Sequence, residues 1–252
     1  MNSKSSSSWL VPIGTHCQEP RLSLFCFPPA GAGALFFTRW SSLLSDDGIT
    51  FWAIRLPGRE MRRNEPLLTK WSELIDPLVE VLQVHCSRKP FAFFGHSLGA
   101  LVSFEMAHQI QKNVGCSPKA LILSSREPPH YSTNLRDYRR GDRALLEELR
   151  ADGGTPEAVL HNSELMAMYL PIYRADLQLN QNYQYSSRNP LDCPLLALGG
   201  ENDQTISAEA LAQWQSYTNG HFQFQLFPGG HMYLTQEQGR TALVRTLVKF
   251  LK

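Results

Sequence analysis

Pro90-Phe91-Ala92-Phe93-Phe94-Gly95-His96-Ser97-Leu98-Gly99-Ala100-Leu101 is the stretch whose reading decides the fold. Residues 90–94 form an apolar run that reads as a buried strand ending at Gly95, and residues 100–110 carry Leu101, Phe104, Ala107 and His108 along one side of a helix. Between them, Gly95-His96-Ser97-Leu98-Gly99 has the form of a nucleophile elbow, a sharp strand-to-helix turn that lifts a serine hydroxyl to the head of a helix. Free backbone N–H groups and the positive end of the helix dipole favour a developing oxyanion there. The five-residue pattern alone also fits an ordinary tight turn, and its weight comes from the strand before it and the helix after it.

Outward from this turn, short apolar runs alternate with helix-period segments, the pattern of a mostly parallel sheet covered by helices on both faces. Strands are predicted over 22–27, 49–54, 120–124, 195–199 and 222–227. Trp71, Leu74, Ile75, Leu78, Val79 and Leu82 recur at helical spacing, with a kink expected at Pro77. A final helix is predicted over 236–251, where Leu243, Val244, Leu247, Val248 and Leu251 form a stripe for the sheet. Residues from about 128 to 189 break the alternation: they are helical in period and hold no good strand. Such an insertion is read as a lid above the strand ends, or else as a purely structural helical layer.

A chain of 252 residues with 42% apolar and 19% charged side chains can bury a sizeable core, and a single domain spanning 1–252 with the insertion is expected. The net charge is +1, with no long basic run, which argues against a nucleic-acid partner. The densest basic cluster, Arg139, Arg140 and Arg143, reads as a solvated helix face. Five cysteines without paired spacing argue against a disulfide framework and a thiolate metal site; Cys26 and Cys193 read as buried, inert thiols. The polar run before Trp9 lacks the apolar core of a secretory signal, so a frayed N-terminus, a cytoplasmic location and no membrane association are expected.

An unassisted serine is a poor nucleophile near neutral pH, so Ser97 requires a base and a group to orient it. His231 lies in Pro228-Gly229-Gly230-His231-Met232, past the last strand and before the final helix, where the chain order serine, acid, histidine puts the base. His85, His108, His130, His161 and His221 fall in regular structure or in the insertion, and His96 is expected to point elsewhere around the turn. The acid should leave the preceding strand, where Glu201 and Asp203 both stand in a loop; Asp203 is preferred because the longer loop lets a short carboxylate reach across. Two oxyanion donors are expected, the backbone N–H groups of Leu98 and of Ala30 in the small-residue loop Pro28-Pro29-Ala30-Gly31-Ala32-Gly33.

At this point the chain resembles the type II, stand-alone thioesterases that accompany polyketide and non-ribosomal peptide synthases, members of the α/β-hydrolase superfamily. The matching segments are Leu24 through Gly33, the turn Arg55-Leu56-Pro57-Gly58-Arg59-Glu60, Pro90 through Ala107, Ser124 through Pro129, Tyr169-Leu170-Pro171 with Arg174-Ala175-Asp176, and Gly229-Gly230-His231. They run nearly the whole length in order, and the Leu-Pro-Gly-Arg turn joined to the Pro-Pro-Ala-Gly loop is the most specific. The resemblance implies an α/β-hydrolase fold, a triad of Ser97, Asp203 and His231, oxyanion donors at Ala30 and Leu98, and a helical lid. It further implies acyl or peptidyl substrates tethered by phosphopantetheine to acidic carrier proteins and cleared when misloaded or stalled. In thioesterases fused to synthase ends the acid commonly follows an earlier strand, which here runs into Ser124-Ser125-Arg126-Glu127 without an aspartate.

The cycle so read calls for no metal or redox cofactor, since the phosphopantetheine belongs to the substrate. Fold and triad do not choose between sulfur and oxygen esters, so a carboxylesterase or lipase-like hydrolase, or an acyltransferase, is the alternative on the same frame. A non-catalytic receptor would normally lack one triad member, and all three stand in this sequence.

Overall fold

The structure, a computed structural model, describes residues 8–14, 20–44, 47–131 and 136–252. The polar run expected to fray, at residues 1–7, and Cys17 lie outside them. Seven strands form one sheet: β1 Leu10–Ile13, β2 Leu22–Phe27, β3 Ile49–Ile54, β4 Phe91–His96, β5 Leu121–Ser124, β6 Leu195–Gly200 and β7 Phe222–Phe227, in the order β1-β3-β2-β4-β5-β6-β7. All neighbours pair in parallel except β1, which runs antiparallel along β3 with Leu10 opposite Ile54. The sequence reading lacked β1. It is four residues long and carries Pro12, a residue that fits only a sheet edge because it has no N–H for a further ladder.

The helices are α1 Trp71–Cys86, α2 Leu98–Val114, α3 Asp142–Asp152, α4 Glu157–Leu160, α5 Ser163–Gln181, α6 Ala208–Ala212 and α7 Glu237–Phe250. Side-chain alternation divides the core between the two sheet faces. Phe25, Phe27, Phe93, Leu123 and Ala197 face α1 and α2, while Leu24, Cys26, Phe94, Ile122 and Leu198 pack with α7 and a 3-10 segment, Ala34–Leu43. Every one of these strand side chains is at most 1% exposed. α1 runs unbroken through Pro77. α2 begins at Leu98, earlier than the sequence reading placed it, and ends at Gly115, whose left-handed backbone (φ 74°) closes it.

Between β5 and β6 the chain is helical, with α3, α4 and α5 gathered on their own small core of Leu145, Leu149, Leu160, Met166, Leu170, Tyr173 and Leu177. This is the helical insertion expected over 128–189, and no strand interrupts its described residues. Of the basic cluster only Arg143 sits on a helix. Arg139 and Arg140 occupy the turn before α3, and the three are paired with Asp137, Glu148 and Glu147 respectively. Cys26 and Cys193 are buried free thiols, and burial raises the pKa of both. No helix among the described residues is long and apolar enough to cross a membrane.

The strand order reverses between β2 and β4, which are adjacent in the sheet and lead outward to β3 and β5 on opposite sides. In open α/β sheets a crevice for ligands opens at such a point, beyond the carboxyl ends of the strands. Here β2 runs into residues 28–33 and β4 into Ser97. The architecture is that of the α/β-hydrolase fold.

Candidate active site

Ser97 links β4 directly to α2 with φ 54° and ψ −115°, a backbone conformation that costs a non-glycine residue on the order of 1–3 kcal/mol. Its own amide donates to Ser124 O at 2.8 Å, which ties the turn to the neighbouring strand. The flanking glycines are sterically required. A Cβ on Gly95 would lie 2.0 Å from Gly99 O, and one on Gly99 would lie 2.1 Å from Phe27 O. The elbow is therefore packed backbone against backbone, both within itself and against the end of β2.

His231 and Asp203 meet across the ends of β6 and β7. His231 Nδ1 donates to Asp203 Oδ2 at 2.9 Å, with the Asp203 side chain 1% exposed. A carboxylate only accepts, so the proton lies on Nδ1 and the lone pair on Nε2, the opposite edge of the ring. Thr205 completes the arrangement: its hydroxyl donates to Asp203 Oδ1 at 2.7 Å, and its oxygen stands 3.1 Å from His231 Nδ1. The amides of Thr205 and Ile206 also donate to Asp203 Oδ1, at 2.9 and 3.2 Å. Burial acts to raise the Asp203 pKa, but the hydrogen bond and charge of His231, together with the hydrogen bonds from Thr205, outweigh it and hold the carboxyl at about 2. Glu201, the other acid considered, is exposed, and no hydrogen bond of its side chain to His231 occurs. Ser125, left-handed at φ 46°, donates from its hydroxyl to the His231 carbonyl at 3.2 Å.

The loop after β2 is held from three directions. Asp176, on α5, accepts the Gly31 amide at 2.7 Å and both arms of Arg59 at 2.7 and 2.8 Å. Arg59 Nη1 also donates to Ala32 O at 2.8 Å, and Glu60 Oε1 accepts the Leu35 amide at 2.8 Å. Arg59 and Asp176 are 4% and 1% exposed, so this ion pair is desolvated and depends on the bidentate contact and the hydrogen bonds to Gly31 and Ala32. Gly31 has φ 77°, and a Cβ there would strike the Tyr169 hydroxyl at 2.3 Å. Among the described residues the amides of Ala30 and Leu98 donate no hydrogen bond, and both residues line the same cavity.

His96 does point away from Ser97, into the core. Its Nδ1 pairs with Ser124 Oγ at 2.9 Å, whose oxygen is in turn 2.8 Å from the Tyr233 hydroxyl. Its ring lies beneath His231 with centroids 5.4 Å apart. Complete burial, reinforced by His231, lowers its pKa far below that of a free histidine and keeps it neutral. His108 and His85 lie within α2 and α1, His130 in a short 3-10 turn, His161 after α4, and His221 just before β7.

Ser97 and His231 open into one cavity of about 420 Å3, which Asp203 supports from behind His231. Its walls combine Ala30 and Leu98, residues of the helical insertion including Leu149, Tyr169, Tyr173 and Leu177, and the segment Ser125-Arg126-Glu127. The sequence reading missed Thr205, Ser125 and the Arg59–Asp176 pair. Thr205 alone had a local signal, an Asp-x-Thr spacing that favours side-chain-to-backbone turns.

The chain belongs to the thioesterase family: the profile described as the thioesterase domain matches residues 22–251. Its likeness is to the type II thioesterases of that family. It is 38% identical to gramicidin S biosynthesis protein GrsT of Aneurinibacillus migulanus over 233 residues, 92% of this chain and 90% of that one. It is 33% identical to the human medium-chain S-acyl fatty acid synthase thioesterase, over 93% of this chain and 89% of that one. The solved structure of the type II thioesterase BorB from the borrelidin biosynthetic cluster superposes with a TM-score of 0.86 at 33% identity, covering 97% of this chain and 98% of that one.

Proposed function

We propose that the protein is a serine thioesterase that hydrolyses acyl or peptidyl thioesters from phosphopantetheinylated carrier proteins, with Ser97 as nucleophile, His231 as base and Asp203 as its orienting acid. The observation that carries this reading is the Asp203–His231 hydrogen bond of 2.9 Å, set in a cavity wall shared with a serine on a strained elbow. Asp203 fixes the tautomer, so that Nε2 is free to take the Ser97 proton as the hydroxyl attacks the thioester carbonyl. The tetrahedral oxyanion is held by the Ala30 and Leu98 amides, each worth about 3 kcal/mol in comparable sites. Collapse expels the sulfur, which takes the proton from the His231 imidazolium and leaves as the free thiol, and an acyl-serine remains. Water, deprotonated by His231, then releases the acid.

The relatives named for gramicidin S and borrelidin biosynthesis support a role beside a polyketide or non-ribosomal peptide synthase, where the enzyme clears misloaded or stalled carriers. Acyl or peptidyl carrier domains are then its partners, the cytoplasm its place of work, and α3–α5 the lid of a single domain spanning 1–252. The test is labelling by a fluorophosphonate probe together with turnover of an acyl-carrier protein and its matched oxygen ester. Labelling at Ser97 and faster thioester cleavage are expected. A folded protein that is neither labelled nor active overturns the assignment, and a preference for the oxygen ester replaces it with a carboxylesterase.

A further inference from the structure

Two arginines line the cavity, and the surroundings of their guanidinium groups differ. Arg136 is paired with a carboxylate, with Nη1 and Nη2 each 2.5 Å from an oxygen of Asp152 and Nη1 also 2.8 Å from the Tyr173 hydroxyl. Arg126 is only 8% exposed and has no carboxylate within ion-pair distance among the described residues. Its one side-chain hydrogen bond runs from Nη1 to the neutral Asn180 Oδ1 at 3.0 Å, and Nε is buried without a partner. Its carbonyl accepts the Trp214 indole N–H at 2.6 Å, so the backbone beneath it is fixed. Burial lowers the guanidinium pKa to about 10, and the neighbouring Glu127 and Tyr183 only partly counteract this. A buried cation of this kind costs stability unless some group supplies the missing acceptor.

We infer that Arg126 is the polar subsite of the acyl cavity and that the acyl group it takes carries a neutral acceptor oxygen, an oxo or amide carbonyl, along its chain. The inference rests on the thioesterase reading of the same cavity. Arg126 stands two residues past Ser124, whose carbonyl holds the Ser97 amide at 2.8 Å, so the donor and the attacking hydroxyl belong to adjacent strand ends and open into one chamber. The rest of the wall suits an otherwise apolar chain, with Phe36, Leu149, Leu177 and Met232. The charges of the lining argue for a neutral acceptor. Glu127 and Asp152 match Arg126 and Arg136 in number, so the arginines and acids of the lining balance and leave no excess positive charge for a carboxylate ligand. Asn180, on the last turn of α5, shares the guanidinium and ties the subsite to the insertion.

The test uses N-acetylcysteamine thioesters of hexanoic acid, its 3-, 4- and 5-oxo derivatives, and the dicarboxylic adipic acid as its mono-thioester. At least one oxo isomer is expected to exceed hexanoyl in kcat/KM, and Arg126→Met is expected to reduce that ratio about tenfold or more, the effect of one charge-assisted hydrogen bond. Comparing the ratio between the two proteins cancels the intrinsic reactivity of each ester. An unchanged ratio overturns the inference, as does a wild-type preference for the carboxyacyl ester over every oxo isomer. Binding of the corresponding amides to Ser97→Ala supplies a second readout that needs no change at position 126, and equal affinity for hexanoyl and all oxo-hexanoyl amides overturns it too. Wild type that hydrolyses none of the esters defeats the thioesterase reading instead, and leaves the binding comparison to decide the subsite.

Discussion

Asp176 receives both arms of the Arg59 guanidinium across 117 residues of chain, and the same Oδ2 that takes one arm takes the Gly31 amide at 2.7 Å. A residue of the helical insertion thereby fixes the loop that offers Ala30 to the cavity. The two most distinctive stretches of the sequence, the Leu-Pro-Gly-Arg turn and the Pro-Pro-Ala-Gly loop, meet at this carboxylate.

Removing either partner leaves the other charged and buried. Arg59→Met and Asp176→Leu are each expected to lower stability by about 3–5 kcal/mol, read from denaturant midpoints. The double variant should recover much of that loss because no lone charge remains. Its kcat should stay depressed, since the Gly31 amide has lost its acceptor; a double variant with wild-type kcat would show that the pair serves stability alone.

Asp203→Asn is expected to lower kcat by about four orders of magnitude through the wrong imidazole tautomer, while Glu201→Gln changes it little. Steady-state rates on one acyl thioester decide this. The reverse ranking would move the acid to Glu201.

Thr205→Val keeps the side-chain shape and the backbone N–H to Asp203 but deletes the hydroxyl that touches both Asp203 and His231. A fall of roughly tenfold in kcat with little change in KM is expected, on the order of one hydrogen bond to a charged group. Thr205→Ser should restore most of it.

The Asp203 carboxyl is held at about 2, below its ordinary value of 3.8, so its contribution to stability is complete above about pH 4 and is lost as pH falls through 2. Urea midpoints between pH 5 and 2 should therefore decline less steeply in Asp203→Asn than in wild type. Parallel curves would mean that the folded and unfolded chains hold this proton alike.

Gly99→Ala would set a methyl group against the Phe27 carbonyl, and neither backbone can yield without disturbing the sheet. A loss of at least 1–3 kcal/mol is expected in thermal or chemical melts, with activity lost as the elbow shifts.

Legibility in the sequence followed the range of the forces involved. The central strands were readable because buried parallel strands are continuous apolar runs such as 24–27 and 195–200, and the turn at Ser97 was readable because Gly95 is demanded by contact with Gly99 four residues on. The ordering of acid and histidine along the chain pointed to Asp203 and His231, which the fold brings to 2.9 Å. β1 escaped because a four-residue edge strand with a proline has no period to detect, and the 3-10 segment Ala34–Leu43 because its aromatic run follows no 3.6-residue repeat. Arg59–Asp176 and the under-satisfied Arg126 arise only when distant segments converge, and no spacing announces them.

Gly99 meets the end of β2 main chain to main chain. Where two main chains touch without side chains between them, the distance from the elbow to the end of β2 is set by peptide geometry, and Asp176 and Arg59 hold the Ala30 loop that follows. The chamber beyond can then be refurnished through Leu149, Leu177 or Met232 for acids of other length and decoration, while the elbow that presents the proposed nucleophile keeps its place.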